Sequence, residues 1–412
     1  MNIYFYLILS VLVLDFVWGQ VLATLNRSRM SPQIPKELEG IYQPEEYSKQ
    51  QLYQKTNSRF GLVSDSISFF IILLVLYFGI LGWLDNSLRE YTSNYILLPL
   101  FFFSLLLVAG NTLEMPFDWY ATFRIEEKFG FNMSTPKLFV SDHFKGLLLN
   151  ILIGGGLLFL VVLIYHYTIE WFWLLTWIVI VFFSLTMSFF YSEWIVPLFN
   201  KQTPLEGGEL RTAIEFFSKK VGFQLDNIYL MDGSKRSTKG NAYFTGFGKK
   251  KRIVLFDTLL EELKTDEIVA VLAHEIGHYR KKHVIQSMVL SIFTSGITLY
   301  ILSLFLNNQQ LAEALGGSLA SFHLGLTGFG VLFSPISDLL GLFTNYLSRK
   351  NEFQADAFAT QFGFGDSLIS ALKKISVKSL SNLNPHPWVI FCRYSHPTLL
   401  QRIEAIRSLK CR

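Results

Sequence analysis

Residues 271–283 read VLAHEIGHYRKKH and hold three of the chain's 8 histidines. His274 and His278 are four residues apart, so on a helix their imidazoles stack on one face. Glu275 projects about 100° away around the axis. Two imidazoles held in this way can bind zinc, and the carboxylate between them can reach a zinc-bound water and act as its base. A polar helix surface with incidental histidines is the plain alternative. Against it, TDEIVAVLAHEIGHYRKKH has helical apolar spacing, with Asp266 and Glu267 near its start and Arg280, Lys281 and Lys282 near its end. Those charges complement the helix dipole, so a helix is expected here.

A catalytic zinc needs a third protein ligand and an open position for water. On an unbroken helix His283 turns to the side opposite His274, so it reads as a polar-face residue near the membrane boundary. The extended three-histidine motif also wants Gly at 281 and His at 284, where this chain has Lys281 and Val284. The better third ligand is Glu352, in SRKNEFQADAFA. Glu352 and Asp356 form another i,i+4 pair, which lets one carboxylate bind the ion while the other orients a ligand from behind. A solvated acidic helix start is the competing reading of that segment.

The elements that must position these groups are apolar. Of 412 residues, 51% are hydrophobic, 16% aromatic and only 17% charged, and 39 are Phe. Soluble proteins carry roughly 25% charged residues, and a water-soluble core cannot absorb this surplus. Seven segments, near 3–23, 67–85, 94–112, 146–165, 171–191, 285–306 and 322–344, are apolar over the roughly 20 residues that a bilayer needs. The amino-terminal MNIYFYLILSVLVLDFVWGQ lacks the basic start of a signal peptide and reads as a first span. Asp15 within it is unfavourable in hydrocarbon and must face protein or water.

Basic residues alternate between connections. Arg27, Arg29, Lys36, Lys49, Lys55 and Arg59 follow the first span, and Arg124, Lys128 and Lys137 follow the third. The turns after the second, fourth and sixth spans offer only Arg89. The positive-inside rule then puts 200–284 and the C-terminus inside, with the N-terminus outside. The net charge of +4, with no Arg/Lys stripe among exposed aromatics, gives no reason to expect a nucleic-acid partner. Cys392 and Cys411 are the only cysteines, too few for a disulfide framework.

Four regions follow. Residues 1–199 hold the first five spans, and 200–284 form the first part of a catalytic domain. Spans six and seven occupy 285–344, and 345–412 form the second part. NAYFTGFGKKKRIVLFDTLLEEL reads as a hairpin or small sheet.

Several long stretches, in order, resemble one family. They are PFDWYATFRIEEKFGFN at 116–132, PLFNKQTPLEGGELR at 197–211, DGSKRSTKGNAYFTGFGKKKRIVLFDTLL at 232–260, HEIGH at 274–278, NEFQADAFA at 351–359 and YSHPTLLQRIEAI at 394–406. Over almost its whole length the chain is similar to the Ste24-type membrane zinc endopeptidases, the type I CaaX prenyl proteases of the M48 peptidases. A short connection between NAYF and HEIGH, without the acidic insertion of animal members, resembles bacterial inner-membrane members.

The resemblance implies a mainly α fold, with seven transmembrane helices around a large hydrated chamber. A gluzincin-like domain with a small β element closes its cytosolic end. It also implies one Zn2+ held by His274, His278 and Glu352, with Glu275 as general base. Asn241 would hold substrate backbone, and His396 would contact the scissile carbonyl oxygen as it gains charge. Asp356 and Arg402 would be the supporting acid and its basic partner. From the residues alone, Asn241 also reads as a turn residue, His396 as a helix cap and Arg402 as a surface cation.

The implied substrate is a peptide or lipidated protein, in the family a C-terminal tripeptide after a prenylated cysteine. A monomer in contact with membrane lipid is expected, in a bacterial inner membrane or, in a eukaryote, the endoplasmic reticulum. Three other readings stay open. An HtpX-like quality-control protease would be shorter, with fewer spans. A non-catalytic scaffold would have lost Glu275 or a ligand. A metal transporter would place its ligands within spans, where Asp15, Glu114 and Asp118 are the residues to test. No role is assigned to His386.

Overall fold

The computed structural model of the chain describes residues 1–31, 33–36, 39–223, 227–245 and 252–410. Among them, seven helices are long and apolar enough to cross a membrane: Ile3–Ser28, Pro44–Tyr77, Leu97–Phe129, Pro136–Tyr167, Ile169–Leu198, His283–Ser303 and Phe322–Gln361. Their starts carry local signals. The Asn2 side chain accepts from the Phe5 amide before the first span, and Thr135 accepts from Leu138 before the fourth, ahead of Pro136. Large apolar groups stand exposed along the spans, Phe182, Phe293 and Leu339 among them. Surfaces of this kind are stable against lipid and not against water.

The second span departs from the sequence expectation. It stops at Tyr77 rather than running to 85, because Gly79 adopts a left-handed conformation at φ +60° and redirects the chain. The amphipathic helix Ile80–Tyr91 follows and lies against the Leu315–Gly317 turn. A Cβ at Gly82 would sit 1.9 Å from the Gly316 carbonyl, so only glycine allows this approach. The same helix buries Asp85 between Arg89 at 3.0 Å and His323 at 2.7 Å. Asp15 is met by protein: its carboxylate accepts from the Ser334 hydroxyl at 2.6 Å, linking the first span to the seventh.

A four-stranded sheet of order β1-β2-β4-β3 lies at one end of the bundle. It comprises β1 (Gln202–Pro204), β2 (Asn227–Met231), β3 (Ala242–Thr245) and β4 (Arg252–Phe256). Only β2 and β4 run parallel, and β3 is an edge strand paired with β4. The turn expected between β3 and β4, at 246–251, lies outside the described residues.

One core joins the segments on either side of spans six and seven. Ile253, Leu255, Ile268, Leu272 and Ile276 pack with Ala359, Leu368, Ile403 and Ile406. Two helices lead directly between this core and the membrane. Thr265–Arg280 carries HEIGH and is followed at once by span six, while span seven continues without interruption to Gln361 and carries Glu352 and Asp356 on its last turns.

Candidate metal centre

The helix Thr265–Arg280 starts at a capping box. The buried Glu267 carboxylate accepts from the Lys264 amide at 2.8 Å, the Lys374 ammonium at 2.7 Å and the Ser370 hydroxyl at 2.6 Å. Burial alone would raise its pKa, but these donors outweigh burial and hold it below the usual carboxylate value. Further along, Gly277 faces span seven. A Cβ there would meet the Ala355 Cα at 3.0 Å and its carbonyl at 3.1 Å. The glycine inside HEIGH therefore lets the two ligand-bearing helices touch backbone to backbone.

That contact brings Glu352 to the two imidazoles. His274 Nε2 stands 3.2 Å from His278 Nε2 and 3.5 Å from Glu352 Oε2, and His278 Nε2 stands 3.2 Å from Glu352 Oε1. Two ligand atoms at roughly 2.05 Å from a tetrahedral zinc are about 3.3 Å apart, so the three side chains already have the separations of a zinc ligand set. Two further observations fit an ion. Glu352 Oε2 is buried without a hydrogen-bond partner among the described residues. Two imidazole nitrogens facing each other at 3.2 Å also need a proton or a cation between them. The His274–His278–Glu352 cluster, with His278 partly exposed and the other two buried, thus fits a single Zn2+.

Behind His274 stands a charged support. His274 Nδ1 is 2.8 Å from Asp356 Oδ1, and Arg402 grips both Asp356 oxygens, Nη2 to Oδ1 at 2.6 Å and Nε to Oδ2 at 2.9 Å. Arg402 Nη1 also lies 3.5 Å from Glu352. Burial lowers the pKa of His274, but hydrogen bonds to Asp356 and Glu352 overcome it and raise the value to about 9.

Glu275 is half-buried, and its carboxylate makes no hydrogen bond or ion pair to a described residue. His396 is 63% exposed at its side chain, with Nε2 3.4 Å from Glu352 Oε1 and Nδ1 2.9 Å from the Ser395 hydroxyl. Asn241 makes no hydrogen bond or ion pair to the cluster. It stands exposed at the start of edge strand β3, with its carbonyl accepting from Phe256 N at 3.0 Å. Nearby, Lys239 anchors this segment to the membrane helices by donating to Glu126 at 2.7 Å and to the Tyr53 hydroxyl at 3.1 Å.

His283 is a correction to the sequence reading. It contributes no atom to the cluster, yet it is no polar-face residue: it is 5% exposed. Its Nδ1 lies 3.1 Å from His278 Nδ1 and its Nε2 lies 3.0 Å from Gln354 Oε1. The helical-wheel argument fails because the helix ends at Arg280 and Lys282 turns left-handed, at φ 60°. The basic run Arg280–Lys282 was the available stop signal. Gln354 carries no comparable signal in the sequence.

Comparison with known proteins agrees with this geometry. Residues 24–201 match the family described as CAAX prenyl protease N-terminal, five membrane helices, and residues 204–410 match peptidase family M48. The chain is 34% identical to a CAAX prenyl protease 1 homolog of Oryza sativa, over 93% of this chain and 92% of that protein. It is 35% identical to CAAX prenyl protease 1 of Saccharomyces cerevisiae, over 90% and 88%. The crystal structure of S. mikatae Ste24p superposes with a TM-score of 0.93 at 31% identity, covering 98% of this chain and 99% of that one. With seven membrane-length helices, a zinc-type ligand set on the helix that leads into the sixth and on the seventh itself, and these matches along nearly its whole length, the chain belongs to peptidase family M48 as an integral-membrane zinc metallopeptidase of the Ste24 type.

Proposed function

We propose that this protein hydrolyses peptide bonds near the C-terminus of prenylated CaaX or other membrane-associated proteins. The observation that carries the reading is the His274–His278–Glu352 triangle at zinc-ligand spacing, built on the helix that leads into the sixth span and on the end of the seventh. Its relatives over nine-tenths of the chain are named CAAX prenyl proteases. When bound, zinc supplies Lewis acidity to a water and to the scissile carbonyl.

The chain's own residues supply the rest. Glu275, half-buried and unpaired among the described residues, takes the proton of the attacking water and delivers one to the leaving amine. His396, largely exposed beside Glu352, donates toward the oxygen that gains charge. Asn241 and the edge strand β3 hold the substrate backbone extended, as edge strands do when they accept a peptide. Asp356 and Arg402 hold His274 in the tautomer that leaves Nε2 free.

In this reading 200–284 and 345–412 are two parts of one catalytic domain facing the cytosol, consistent with the sorting of basic connections. The spans at 1–199 and 285–344 shelter a hydrated chamber, and the protein works as a monomer. A lipidated substrate keeps its apolar group in the bilayer side while its peptide reaches zinc.

The test compares peptides released from a farnesylated CaaX peptide and from an unprenylated membrane peptide by membranes holding the intact chain or its Glu275→Gln variant. Release of the terminal tripeptide by the intact chain alone is expected. Cleavage of the unprenylated peptide only would move the assignment to general turnover of membrane proteins.

A further inference from the structure

We infer that His283 is a positioning residue of the metal centre: together with Gln354 it sets the tautomer and ring orientation of His278 and ties the HEIGH helix to span seven. The inference rests on zinc binding by the cluster and is independent of the substrate assigned above.

The bond directions carry it. His278 presents Nε2 to His274 and Glu352, so its proton must reside on Nδ1 for Nε2 to offer a lone pair. Nδ1–H then donates to His283 Nδ1 at 3.1 Å. His283 can accept there only if its own proton is on Nε2, and that Nε2–H finds the Gln354 carbonyl oxygen at 3.0 Å. With Gln354 Oε1 as the acceptor at its outer end, the relay is consistent at every step with Nε2 of His278 left free for the ion. Reversing any one bond would put the proton on His278 Nε2 and block the metal position. With His283 at 5% exposure, bulk water does not take over its place.

The backbone is shaped for this contact. Lys282 holds φ 60° and ψ 28°, a conformation that L side chains adopt rarely, and the left-handed residue folds His283 back toward the ring one turn before it. Gln354 lies two residues after Glu352 on the same helix, so the relay links the helix of two ligands to the helix of the third. The two histidines are supported differently. His274 leans on the Asp356 carboxylate with its Arg402 partner, whereas His278 leans on two neutral groups. A neutral relay orients the second ring without adding negative charge to a site that already has Glu275, Glu352 and Asp356.

The experiment measures zinc release to a chromophoric chelator from purified, detergent-solubilised full-length protein, for wild type, H283N, H283L and Q354M, with visible spectra of the cobalt-substituted forms. H283N keeps a carbonyl oxygen near the position of Nδ1 and is expected to stay within about threefold of wild type. Loss of a ligand's supporting partner typically weakens metal binding about 10- to 100-fold, which is the loss expected for H283L, with an altered cobalt spectrum. Q354M is expected to fall between them. Zinc affinity equal to wild type in folded H283L would overturn the inference, as would an equal loss in H283N and H283L, which marks a packing role. Should H283L fail to fold, Q354M decides: unchanged zinc affinity in that variant also overturns it.

Discussion

Glu275 and Glu352 are both carboxylates of the two ligand-bearing helices, and the proposed mechanism gives them different tasks to match their different surroundings. Glu352 is buried against both rings and Arg402, whereas Glu275 is half-buried and makes no hydrogen bond or ion pair to a described residue. Glu275→Gln is therefore expected to keep about one zinc per chain by elemental analysis while kcat falls about 10²- to 10⁴-fold, the span of a general base. Glu352→Gln is expected to lose the metal itself. Asp356→Asn weakens the grip on His274 Nδ1 and leaves Arg402 without its full counter-charge. A 10- to 100-fold drop in zinc affinity by chelator competition is the approximate expectation. His396→Ala should leave zinc content unchanged and lower kcat by roughly 10²-fold with little change in KM.

Between residues and molecule, the helix Thr265–Arg280 is held at both its cap and its face. Gly277→Leu would drive a side chain into the Ala355 backbone. Such overpacking costs about 1–3 kcal/mol, and the separated helices should bind zinc poorly; thermal melts and zinc content check both. The cap predicts an acid limb. The folded pKa of Glu267 lies below its ordinary 4.5, so its contribution is present above pH 4.5 and is lost as pH falls through that value toward the folded pKa. Melts between pH 3 and 7 should show Glu267→Gln less stable at neutral pH and less sensitive to acid than wild type.

The chain returns to its own core after an excursion through two membrane helices, since the core of Ile268, Leu272 and Ile276 is completed by Ala359, Leu368 and Ile403 from beyond them. Zinc held by ligands from both sides of that excursion would clamp it shut. Chelation should lower the midpoint of thermal unfolding in detergent, because a ligand at a hundredfold excess over its Kd stabilises the folded state by about 2.7 kcal/mol. Glu352→Gln should melt like the chelated wild type and show no response to added zinc. A chelator-insensitive midpoint in zinc-loaded wild type would rule out the clamp.

Much of this was legible locally. An excess of Phe and too few charges set the membrane class, and seven apolar runs set the spans, because hydrocarbon demands length and composition that neighbouring residues alone provide. The HEIGH pair could be read because i,i+4 spacing is a property of one helix, and Glu352 could be nominated by its chemistry. Its arrival at the imidazoles was decided by packing: Gly277 against Ala355 sets how closely two distant segments approach. His283 was misread because a single left-handed residue, Lys282, cancels a helical wheel. The second span's early end at Gly79 and the burial of Asp85 likewise bring in distant partners, the Gly316 turn and His323. Periodicity is written in neighbours, whereas a metal centre forms where non-neighbours pack, and only the tertiary structure sets those distances.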